Sequence, residues 1–177
     1  MFENPRRSIF DTATNGVPWS DPAPVRAELF SIERLEQHAL TLAARQTVTD
    51  RPPRVPTLQQ RLIQNARALR VTYRDSAQEF AAGYPVAPAA QWLLDNYHLV
   101  EAQIREIRVD LPAGYYRLLP KLKDGPFAGY PRVFGIAWAY VAHTDSHFDP
   151  LNLQRFLTAY QTVTPLGIGE IWAVSIT

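Results

Sequence analysis

No cysteine occurs anywhere in the chain. That excludes disulfides, thiolate catalysis and zinc or iron–sulfur centres held by cysteine, and it fits a cytoplasmic chain. An excess of charge of one sign is also missing: 18 basic residues face 17 acidic ones, for a formal net charge of +1. Such a balance gives no electrostatic footprint for nucleic acid or for an anionic membrane surface. No run of about 18 apolar residues exists, so no transmembrane helix is expected. The opening MFENPRRSIF lacks a continuous apolar core and does not read as a signal peptide. Glycine is sparse, with eight residues. Gly125, Gly129, Gly167 and Gly169 lack the GxGxxG or GxxxxGK(S/T) context of a phosphate-binding loop.

What is present points to an all-α fold, a multi-helix bundle of antiparallel helices. The 177 residues suffice for one domain with a sizeable core. Fifteen prolines punctuate the chain. Residues 1–24 read as an irregular arm, because Pro5, Gly16, Pro18, Pro22 and Pro24 interrupt any regular pattern. Its aromatics Phe2, Phe10 and Trp19 argue that it lies against the body or a partner. Residues 25–177 read as the helical domain.

The best-patterned stretch is Pro88 to Pro112, PAAQWLLDNYHLVEAQIREIRVDLP, and the rest of the chain is expected to organise around it. Leu93, Tyr97, Val100, Ile104, Ile107 and Leu111 fall on one helical stripe. Trp92 and Leu99 widen it. Pro88 suits a first helical turn and Pro112 ends the helix. Trp92, Val100, Ile104 and Trp138 are expected to be largely buried.

Other helices announce themselves by their ends. Ser31 reads as the N-cap of a helix running to Gln46 or Thr47. TDRPPRVP, residues 49–56, is a linker that its prolines keep from being helical. A second helix opens at Thr57, and Gly83 suits the position just beyond its end. The short loop that follows favours an antiparallel pair with the central helix. Arg61, Arg67, Arg70 and Arg74 make the outer face of the second helix basic, which reads as a solvated face. Gly114, Pro120, Gly125, Pro126, Gly129 and Pro131 limit residues 113–131 to short turns and loops. Pro131 then opens a helix that is apolar almost all round and so buried on several sides. Asp149 and Pro150 are an N-cap and first-turn pair, and Thr164-Pro165 ends that helix.

The final segment LGIGEIWAVSIT begins a helix but stops without a polar run or a cap. Its Ile168, Ile171, Trp172 and Ile176 are expected to remain partly exposed and to promote self-association. The abrupt apolar end suggests a chain that continues past Thr177.

Three clusters invite a chemical reading. His143 and His147 stand at the i,i+4 spacing of helical zinc sites. They lack the HExxH glutamate, and Asp149-Pro150 follows at once. The plainer reading is a polar helix end, capped by Asp145 and Ser146. Asp95, Asn96, His98 and Glu101 cluster on the central helix, but six positions separate Asp95 from Glu101 and turn them to different sides. Tyr115, Tyr116 and the tryptophans are aromatic at core-like spacing. No catalytic, cofactor-binding or metal-ligating residue is assigned, and no cofactor is implied.

Taken together, WLLDNYHLVEAQIREIRVDLPAGYYRLLPKL, GPFAGYPRVFGIAWAYVAHTDSHFDP and FLTAYQTVTPLGIGEIWA resemble the amino-terminal region of the cyclic β-1,2-glucan synthases. ELFSIERLEQHALTLAARQ is similar to the same family's start, so the resemblance runs from about Ala27 to Thr177. It implies a helical leader that precedes a membrane-spanning, UDP-glucose-dependent glucosyltransferase. None of the transferase's acidic motifs falls on a residue of this chain. The resemblance therefore implies a non-catalytic cytoplasmic segment at the inner face of the bacterial inner membrane. Its partner would be the remainder of the synthase or another protein, with neither nucleic acid nor a membrane span of its own. The rival reading is a free-standing helical interaction module. A small metal-dependent hydrolase using His143 and His147 is the least favoured.

Overall fold

The structure, a computed structural model, describes residues 28–145 and 147–177. The arm 1–24 lies outside the described residues, as does Ser146. Among the described residues seven α-helices and one two-stranded ribbon occur, and no helix is long and apolar enough to cross a membrane. The helices are α1 (Ile32–Arg45), α2 (Leu58–Ala81), α3 (Pro88–Asp110), α4 (Ala113–Leu118), α5 (Arg132–His143), α6 (Pro150–Val163) and α7 (Ile168–Val174). The strands are β1 (Val48–Thr49) and β2 (Lys121–Leu122).

Local chemistry sets the helix ends. Ser31 Oγ accepts the Arg34 N–H at the start of α1. Thr57 and Gln60 form a reciprocal capping box at the start of α2. At the other end of α2, Gly83 takes φ +78°, the Gly83 N–H donates to Phe80 O and the Tyr84 N–H donates to Glu79 O. That double closure is a Schellman motif, which needs the left-handed residue that glycine supplies without a Cβ penalty. Asp149 Oδ1 accepts from the Leu151 and Asn152 N–H groups at the start of α6. At the end of α5, Asp145 takes the left-handed position at φ 50° after the Thr144 cap, a place aspartate tolerates.

The core lies between α1, α5 and α6, not around α3. Leu35, Ala39 and Ala43 of α1 pack with Ile136 and Tyr140 of α5, and with Phe156 and Tyr160 of α6. The small alanines let α1 and α6 approach closely. Glu36 meets Arg155 at 2.6 Å, and Thr164 Oγ1 donates to Ala43 O at 3.2 Å, so these two helices run in the same direction. Helix α5 runs against α1. The Phe30 N–H donates to His143 O, and the Gln46 side chain reaches the first turn of α5 at Gly135. A second cluster joins Leu111, Tyr116, Leu119 and Val133 to Ala173 and Val174.

Helices α2 and α3 form an antiparallel hairpin. Tyr73 stacks on Tyr97 at 4.1 Å, Arg70 meets Glu101 at 3.7 Å, and Gln59 Nε2 donates to Leu111 O at 2.8 Å. Arg70 thus turns toward α3 and does not simply face solvent. The expected burial of the α3 stripe needs correction. Leu93 and Leu111 are buried, but Val100 and Ile104 are only half-covered, as is Trp138 on α5, and Trp92 is 57% exposed. Along most of its length α3 has one long partner, α2. A single helix covers one strip of a neighbour, and the flanks stay wet.

Two stretches read as linker and loop pair as β1 and β2, antiparallel, with Val48 opposite Leu122. The turn after β2 presses on the proline linker. Gly129 has φ +87°, and a Cβ there would lie 2.6 Å from Pro53 O and 2.9 Å from Val55 Cγ2. Gly125 has φ +78° with open space around it. Gly129→Ala should therefore cost more than the about 1–3 kcal/mol expected of a left-handed non-glycine residue alone. Gly125→Ala should show only that smaller cost. Urea midpoints that fall equally for the two variants would refute the close approach.

Candidate interaction surface

Helix α7 is apolar on both faces. Glu170, Ala173 and Val174 point into the domain. Ile168, Ile171 and Trp172 point outward and are 79%, 43% and 71% exposed. The outward set follows the i, i+3, i+4 spacing of one helical face. A helix hydrophobic on both sides is ordinarily covered on both. The expected exposure of the last segment is seen for these three residues, whereas Ile176 is half-buried.

A buried ion pair fixes the inner face. Arg132 and Glu170 are 7% and 6% exposed. The guanidinium donates through Nε and Nη2 to the two carboxylate oxygens, at 2.9 and 2.7 Å. Arg132 Nη2 also donates to Pro165 O at 3.2 Å, and Glu170 accepts the Gly167 N–H at 3.0 Å. The carboxylate thereby caps α7 while holding it to α5. Burial acts to lower the pKa of Arg132, but the hydrogen bonds and charge of Glu170 outweigh it and hold that pKa above its usual value. Tyr160, beside Arg132, donates to Gln46 Oε1 at 2.8 Å, and burial raises its hydroxyl pKa. Sequence reasoning assigned no role to Arg132 or Glu170. The available signal was one lone charge of each sign inside two otherwise apolar segments.

Lys121 was missed as well. Its Nζ donates to Tyr116 O and Leu119 O at 2.5 and 2.6 Å and sits 4.5 Å from the centre of the Tyr116 ring. Burial pushes the ammonium down to about 8, and burial pushes the Tyr116 hydroxyl up to about 12. The two carbonyls and the ring all favour the charged lysine, so this group serves as a strut tying α4 to β2.

The clusters singled out by sequence take separate places. The His143 ring stacks on Phe30 at 3.8 Å and lies 4.7 Å from His38, with Nδ1 2.7 Å from the Glu28 carbonyl oxygen. Burial, with His143 next in weight, lowers the His38 pKa. The His147 N–H donates to Thr144 O. Asp95 accepts from Gln91, Asn96 donates to Trp92 O, Glu101 faces Arg70, and His98 is exposed. Tyr115 donates to Gly169 O, and Tyr116 is buried. Among the described residues no group of three or more histidines and acids is placed to hold a metal ion.

Fold and surface together define a mostly helical domain that carries an exposed apolar face on α7. Over 151 residues, 85% of this chain, it is 36% identical to the cyclic beta-(1,2)-glucan synthase NdvB of Rhizobium meliloti (strain 1021). The chain is thus related to a segment of a cyclic β-1,2-glucan synthase, as the residues suggested. It spans only 5% of that relative's length. No protein-family model matches the chain.

Proposed function

We propose that this chain is a non-catalytic helical leader of a membrane-bound cyclic β-1,2-glucan synthase, and that it docks through the outer face of α7. The carrying observation is that face: Ile168, Ile171 and Trp172 are held outward by a helix whose other side is anchored through Glu170. The likeness to a relative of which the chain spans only 5% supplies an occupant, the remainder of such a synthase. The leader would lie on the cytoplasmic side of the bacterial inner membrane and pass its support to the transferase part through α7.

Alone in solution, the same face should pair with itself. Light scattering across a concentration series should show the native chain associating. Trp172→Glu should associate less and keep the native denaturation midpoint, because its side chain packs little within the domain. A native chain that stays monomeric at high concentration would remove the docking face from this reading.

The leader assignment makes a separate claim about chemistry. Given UDP-glucose and magnesium, the purified chain should form no β-1,2-glucan. The sequence has no phosphate loop, and the acids of α3 are engaged apart from one another. Product made by pure protein would overturn the non-catalytic role and leave the docking face untouched.

A further inference from the structure

Three rings meet where the entry to α1 touches the end of α5. The His143 ring stacks on Phe30 at 3.8 Å, with 12° between the planes. The His38 ring, on α1, stands 4.7 Å from His143 and 5.5 Å from Phe30, steeply tilted to both. The segment before α1 is fastened to α5 at this point. The Phe30 N–H donates to His143 O at 3.1 Å, and His143 Nδ1 lies 2.7 Å from Glu28 O. A carbonyl oxygen only accepts, so Nδ1 carries the proton of that bond. The Arg34 guanidinium holds the Glu28 carboxylate by two hydrogen bonds, at 2.6 and 2.9 Å, and lies 4.4 Å from the centre of the Phe30 ring. Glu28, Phe30 and the first turn of α1 thus form one unit, and His143 fastens that unit to the end of α5.

We propose that this cluster is a pH-sensitive latch: with His38 neutral it clamps the entry of α1 onto the end of α5, and protonation of His38 releases the clamp. The company His38 keeps carries the inference. Its ring is half-buried against a second imidazole and a phenyl ring. On its own helix, Arg45 lies about two turns further on and repels a proton on His38, while Arg34, about one turn before, is held by Glu28. From α5, His143 faces it directly, and Asp145 stands two residues beyond His143. Helix α6 packs on the other flank of α1, where Arg155 meets Glu36, about 200° round the helix from His38. Among the described residues, the carboxylates on and before α1 that enter ion pairs are therefore engaged by other cations, and none pairs with His38. A charge on His38 is desolvated there without gaining a counter-charge, the condition that disfavours the protonated form. Burial first, then His143 and Arg45, hold its pKa below the usual 6.5. The sign follows from linkage. Once released, His38 stands in water and titrates near its usual value. Between that value and the lower one of the closed latch, the released state binds the extra proton, so acid favours release. The latch is intact above about pH 6.5 and weakens below it by up to about tenfold per pH unit, the limit for one proton.

Amide hydrogen exchange in the full-length chain tests the latch, because the Phe30 N–H is itself one of the bonds that open. Its protection factor, corrected for the intrinsic pH dependence of exchange, should be level above about pH 7. Below about pH 6.5 it should fall severalfold, by up to about tenfold per pH unit. The Lys123 N–H, which donates to Thr47 O beyond the other end of α1, should keep its protection over the same range. His38→Gln should make the Phe30 protection independent of pH. A second readout needs no variant: the His38 ring, titrated by NMR in the native chain, should have its midpoint below about 6.5, and the Phe30 amide shift should move with it. A Phe30 protection that stays level down to about pH 5, or that falls as steeply in His38→Gln, would overturn the proposal. So would a His38 midpoint at or above about 6.5. Loss of Lys123 protection in step with Phe30 would show the whole domain unfolding and would overturn it too.

Discussion

Replacing Glu170 with alanine lowers folding stability by about 3–5 kcal/mol, the usual cost of stranding one partner of a buried ion pair. Three losses coincide there. Arg132 keeps its charge while 7% exposed, the Gly167 N–H loses its acceptor, and α7 loses its tie to α5. With a urea slope of about 2 kcal/mol per molar, the midpoint should fall by about 2 M. The pair itself need not be stabilising relative to an apolar core. Arg132→Met combined with Glu170→Leu should recover much of the loss, because neither charge is then left without its partner. The Arg132–Pro165 bond goes as well, so recovery should stop short of complete. A Glu170→Ala midpoint within experimental error of the native one would show that water reaches Arg132 readily and that the corner is loose.

Phe156→Ala should cost about 3–5 kcal/mol, whereas Ile104→Ala should cost less than about 2 kcal/mol. Phe156 has no solvent exposure and packs edge-on to Tyr140 at a centroid distance of 5.7 Å, between α1 and α5. Three helices meet there, so the surroundings cannot collapse to fill the space. Ile104 lies in the α2–α3 hairpin and is only half-covered. Its truncation returns part of one side chain to water and opens no closed cavity. Equilibrium urea unfolding of both variants makes the comparison. If Ile104→Ala proves the costlier, the organising centre is the hairpin after all.

The reach of the sequence can be seen element by element. Ser31, Thr57, Gly83, Pro88, Asp149-Pro150 and Thr164-Pro165 all mark helix ends where the structure has them, since a cap is satisfied within a few residues of chain. Periodicity likewise identified the face of α3 that turns to α2. The likeness to the glucan synthases was readable too, because it rests on runs of residue identity and needs no fold. Burial was readable only in part. The all-round apolar pattern of α5 marked it as buried on several sides, and α1, α6 and α7 enclose it, but the α3 stripe, expected to be just as buried, has one long neighbour. How many partners a stripe acquires depends on contacts far apart in sequence. The same holds for Arg132 and Glu170, 38 positions apart, and for the ribbon between Val48 and Leu122. Each is a short-range interaction in space between segments that are distant along the chain. Local chemistry wrote the helices and their ends. Tertiary packing decided which helix became the core, which charges were buried together and which apolar face of α7 stayed outside.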